Sequence, residues 1–138
     1  MVVTRIGRAV VVLGAVAVAF GVAGLAAADG SFTDRAGWLV GRPSIELALA
    51  GFNRLGAMCT LALGVVAVVA GWRRSVLGVG IAAAGFAVMA LQVVVQWGRG
   101  ANVLGGRGSN LSLWGGLAIG LATLAWAMRT NADERDPA

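Results

Sequence analysis

The side chains of this sequence that could do chemistry are few, and most of them fall into two short groups. Glu46, Asn53 and Arg54 form the first; Gln92, Gln96 and Arg99 form the second. Both groups lie within or beside long apolar stretches, where a polar side chain is costly enough to count as a candidate functional group. In a helix running from 45 to 72, Glu46 and Asn53 share a face and Arg54 lies about 80° round from Glu46, so the three join one polar cluster. Gln92 and Gln96, one helical turn apart, form a polar edge leading toward Arg99. Such a set suits a polar mouth that receives a substrate, a lipid headgroup or a partner subunit. Its plainer reading is hydrogen-bonding glue between helices, with an arginine whose stem reaches the membrane interface.

Most other chemistry is excluded by composition. The chain has no histidine and one cysteine, Cys59, whereas zinc, haem, copper and iron–sulfur sites draw on several His or Cys ligands. Met58 and Cys59 are both soft ligands, but adjacent helical residues point about 100° apart. Without a histidine base, Ser109, Ser112 and Thr123 have no activating partner for nucleophilic catalysis. Gly105-Gly106-Arg107-Gly108 lacks the lysine and the strand-to-helix setting of a phosphate loop. No catalytic residue, metal or cofactor is expected, and the chain reads as a non-enzyme.

The elements that must position the polar groups follow from hydropathy. Of the 138 residues, 59% are hydrophobic and 12% charged, and the mean hydropathy is +0.85, values that belong to a membrane protein. Helices are expected over 7–28, 45–72, 75–97 and 111–129, joined by a polar loop at 29–44 and a Gly/Arg loop at 98–110, with a polar tail at 130–138. The second run, about 42 Å long as a helix, exceeds the hydrocarbon thickness, so its 46–54 beginning is expected in the interface. The first run also resembles a cleavable leader, with Ala26 and Ala28 ahead of Asp29, but it is longer than the apolar core of one and reads as a span. The expected fold is thus all-α: a single integral membrane domain over 1–138, an up-down bundle of four transmembrane helices.

Tryptophan and arginine placement agrees with this path. Trp97, Trp114 and Trp38 are expected at one headgroup belt and Trp72 and Trp126 at the other. Arg5, Arg8, Arg73, Arg74, Arg129 and Arg135 fall on one side against Arg35, Arg42, Arg54, Arg99 and Arg107 on the other. The arginines of the short flanks favour a multi-pass protein of the cell inner membrane with both termini cytoplasmic. Their scatter over segment ends, despite a net charge of +5, speaks against nucleic acid. A proton-coupled pump wants an acidic residue near mid-bilayer, and none is present, which argues against the small multidrug exporters.

Small residues supply the packing faces that helices in lipid need. Gly14, Gly21 and Gly24 mark the first helix, Gly56 and Gly64 the second, Gly78 and Gly85 the third, and Gly116 and Gly120 the fourth. Leu61-Ala62-Leu63-Gly64 is echoed by Leu117-Ala118-Ile119-Gly120, and Val12-Leu13-Gly14 by Val76-Leu77-Gly78, so the two halves read as tandem two-helix repeats. The stretch from Asn53 to Gly64, and its fainter echo from Asn110 to Gly120, resembles a group of small actinobacterial four-helix membrane proteins of unknown function. The resemblance implies the four-span architecture and no activity; members of that group often carry histidines in these helices, and this chain does not. Taken together, the sequence suggests an accessory or stabilising subunit that packs against other integral membrane subunits and lipids. The alternative is a small homo-oligomeric transporter or channel with Glu46, Arg54, Gln92 and Gln96 at its mouth.

Overall fold

A computed structural model describes residues 5–27, 45–47, 50–97, 103–106 and 108–133. Four helices account for nearly all of them: α1 (Arg5–Ala27), α2 (Arg54–Arg73), α3 (Val76–Gln96) and α4 (Gly108–Asp133). Each is long and apolar enough to cross a membrane, and packed together they form the expected four-helix membrane bundle. A short antiparallel pair, β1 (Ile45–Leu47) and β2 (Ala50–Phe52), precedes α2, with Glu46 opposite Gly51.

That pair corrects the expected start of the second helix. Asn53 is extended (φ −95°, ψ 175°) and its side chain accepts a hydrogen bond from the Gly56 amide, so the helix is capped there rather than at 45. Gly51 would have weakened a helix through this stretch by about 1 kcal/mol. The result is a helix of 20 residues, about 30 Å, which matches the hydrocarbon thickness without an overhang.

The link from α2 to α3 is two residues long. Arg74 adopts the left-handed conformation (φ 55°, ψ 34°) and its amide donates to the Ala70 carbonyl, a C-terminal arrangement more often given to glycine. Ser75 then caps α3 by accepting from the Gly78 amide at 3.1 Å.

The helices follow an up-down-up-down path, and the most extensive pairings are α1 with α2 and α3 with α4. Glycines bring α1 and α2 into backbone contact. A Cβ on Gly14 would lie 2.9 Å from the Gly64 carbonyl, one on Gly21 2.6 Å from the Leu61 amide, and one on Gly71 3.0 Å from the Gly7 carbonyl. Contacts that run forward along α1 and backward along α2 establish the antiparallel hairpin. Seven-residue steps on α1 keep its glycines on one seam. Gly24 is buried near the end of the same helix.

Elsewhere the expected packing faces divide among different neighbours. Gly78 closes on Ala70 and Gly85 on the Leu63 side chain, both across the α2–α3 contact, whereas Gly120 meets Leu13 of α1. The residues paired by the tandem echo therefore do different jobs: Gly14 seats α2 within its own half, while Gly78 seats the other half. Gly116 is exposed, and a Cβ there would meet nothing within 4 Å among the described residues. The core is mostly alanine and valine, with Phe86, Trp114 and Leu121 the largest fully buried side chains among the described residues. Around it an outer belt including Val12, Val66, Leu77, Ile81, Val88 and Ile119 is exposed, as lipid-facing surfaces are.

Candidate functional site

The polar side chains that bond from one element to another gather where α2 and α4 begin and α3 ends. Residues 103–106 cross this end of the bundle as a strap, and Asn53 holds the strap in place. Its Nδ2 donates to the Val103 carbonyl at 2.6 Å, and its backbone amide donates to the Leu104 carbonyl at 3.3 Å. Its Oδ1 meanwhile accepts from the Gly56 amide at 2.7 Å. One side chain thus satisfies an otherwise unpartnered helix-start amide and fastens a loop that lies fifty residues further along the chain. Gln96 completes the fastening from α3, its Oε1 accepting from the Val103 amide at 3.0 Å.

The strap fits because glycines remove the side chains that would block it. Gly105 has φ +65°, and a Cβ there would come within 2.7 Å of the Asn53 nitrogen. Gly106 lies over Trp114 and Val93, with no room for a methyl group. Gly56, expected to seat another helix, instead leaves space for the Leu104 carbonyl.

Beneath the strap the polar set continues inward. The Trp114 indole Nε1–H donates to Thr60 Oγ1 at 3.1 Å, and Thr60 donates its hydroxyl proton to the Gly56 carbonyl at 2.8 Å. Thr60, Asn110 and Trp114 are all fully buried. This corrects the expected belt position of Trp114: burying the ring satisfies its N–H inside the bundle instead of at the headgroups. The other described tryptophans, Trp72, Trp97 and Trp126, are 63%, 68% and 68% exposed, as belt residues should be. Trp38 lies outside the described residues.

Of the six candidate polar residues, the fold brings Asn53 and Gln96 together through the strap. Arg54 begins α2 half-buried, with its Nη1 sealed from solvent. Gln92 is half-buried one turn before Gln96 and takes no part in fastening the strap. The backbone of Glu46 is in β1, so the helix face it was expected to share with Asn53 does not exist. Arg99 lies outside the described residues.

Thr60, Trp114 and the strap were missed as polar partners by sequence reasoning. The signal available was the Gly56 and Thr60 spacing, which allows a hydroxyl to bond back one turn, and the paired glycines at 105 and 106. Among the described residues no three His, Cys, Asp or Glu side chains converge on a possible metal site. The arrangement pairs Asn53, Gln96, Thr60 and Trp114 with groups inside the bundle, which is the chemistry of a clasp. Compared with protein-family models, curated proteins and solved structures, the chain matches none.

Proposed function

We propose that this protein is a non-catalytic accessory or stabilising subunit of a larger integral membrane complex and acts by helix packing. The observation that carries the reading is an open small-residue face on α4. Ser112, Gly116 and Thr123 are exposed at steps of four and seven residues, which align on one side of a helix, bordered by Ile119 of the outer belt. Among the described residues a Cβ on Gly115 or Gly116 would meet nothing within 4 Å, as would one on Gly80 of α3, whereas Gly14, Gly21, Gly64, Gly71, Gly78 and Gly85 are all closed against neighbours in the chain. Helices associate in lipid largely through such close backbone approach. A helix of another subunit is the partner that suits this face.

The pore-forming alternative rests on a polar mouth. Asn53 and Gln96 hold the strap across that end of the bundle, which lends the pore reading less support. The inner membrane, with both termini cytoplasmic, remains the setting proposed for the subunit.

Extraction in mild detergent followed by mass spectrometry tests the proposal. A membrane protein recovered in fixed ratio with the chain is the expected result, and Gly116→Leu is expected to release it without loss of helix content. Recovery of the wild-type chain as a lone monomer would refute the reading.

A further inference from the structure

At the end of the bundle opposite the strap, α1 and α3 begin and α2 and α4 finish, and every described residue with a basic side chain there is exposed: Arg5, Arg8, Arg73, Arg74 and Arg129. The only acidic residue among the described residues at this end is Asp133. The approach of Gly71 to the Gly7 carbonyl sets the first turn of α1 beside the last turn of α2. Arg5 and Arg8 therefore stand on a turn adjoining the one that carries Arg73 and Arg74.

We infer that this end is a binding surface for anionic phospholipid headgroups, favouring a lipid with two phosphates. Two observations select lipid over a soluble anion or an acidic protein, and a third suits a phosphate ligand. The arginines border an exposed apolar belt that includes Val12 and Leu77, so a headgroup bound here keeps its acyl chains in contact with hydrocarbon. Trp72 precedes Arg73 directly and Trp126 lies one turn before Arg129, and both indoles are exposed where rings of this kind mark headgroup depth. All the basic residues of the chain are arginine, whose planar fork bonds two phosphate oxygens at once. Four guanidinium groups on adjoining turns suit two phosphates better than one. The surface also places this end of the bundle in the leaflet richer in anionic lipid. It is independent of the α4 face and of any protein partner.

The test uses the full chain in phosphatidylcholine nanodiscs doped with diphosphatidylglycerol, with retained lipid measured by native mass spectrometry. The two-phosphate lipid should be retained above its bulk fraction. Each neutralised arginine should weaken retention about fivefold, so R73Q/R74Q should weaken it roughly 20-fold or more. R73K/R74K, which keeps the charge but not the fork, should bind between the wild type and R73Q/R74Q. Where circular dichroism shows that R73Q/R74Q has lost helix, R5Q/R8Q is read in its place and should show the same loss. Equal retention of phosphatidylcholine, or unchanged retention in the glutamine variants, overturns the inference. Displacement by inorganic phosphate alone overturns the assignment to lipid, and loss of a protein partner with lipid retention intact overturns it in favour of an acidic protein surface.

Discussion

Trp114 on α4 donates its indole N–H to the Thr60 hydroxyl on α2 at 3.1 Å, with both residues fully buried. The bond ties together two helices that are not neighbours along the chain. Thr60 in turn donates a hydrogen bond to the Gly56 carbonyl, so the same hydroxyl is acceptor and donor, and the indole depends on it.

Thr60→Val keeps the shape and removes the acceptor, and should destabilise the bundle by about 1–2 kcal/mol because a buried N–H is left unsatisfied. Trp114→Phe combined with Thr60→Val should show a coupling near 0.6 kcal/mol and no more than about 1.7, the range for helix-to-helix hydrogen bonds in membranes. A double-mutant cycle of unfolding in detergent micelles measures it. A coupling of zero would mean that the pair does not contribute to stability.

Asn53 carries a cap and a clasp at once, and two substitutions separate them. Asn53→Ala loses both and should cost about 2 kcal/mol; Asn53→Asp keeps the cap acceptor, loses the donor to Val103, and should cost about half as much. Thermal unfolding followed by circular dichroism reads the difference. In a chain whose other tryptophans are phenylalanine, Asn53→Ala should also open Trp114 to a water-soluble quencher, since the strap covers the ring.

Gly105→Ala should destabilise by at least about 1–2 kcal/mol from the left-handed backbone alone. The added methyl group also meets Asn53 backbone at 2.7 Å, so this variant should reproduce the quenching seen for Asn53→Ala. Unaltered quenching would show that the strap does not shield Trp114.

Glycine substitutions should differ in sign according to face. Gly64→Ala places a methyl group 2.8 Å from the Val18 nitrogen and 3.0 Å from the Gly14 carbonyl, backbone atoms that cannot swing aside, and should cost about 1–3 kcal/mol. Gly116→Ala meets nothing among the described residues and should stabilise the isolated chain by up to about 1 kcal/mol through helix propensity. Melting temperatures of the purified variants in one detergent decide between these signs, and a shared sign would contradict the packing described.

The four spans were determined by the sequence because backbone in lipid must satisfy its own hydrogen bonds, and an uncharged apolar run of about 20 residues has one common way to do so. Asn53 and Gln96 were legible as polar groups near an interface, though not as partners. Which small residues would face inward was decided only by tertiary structure. Helices that are apolar all round carry no polar face to distinguish the bundle interior from lipid, so Gly64 and Gly116 look alike until neighbours close on one and leave the other open. The same holds for Trp114: composition and spacing placed it at the headgroups, but a hydroxyl on α2 and a glycine strap above it made the interior the better place for an indole N–H.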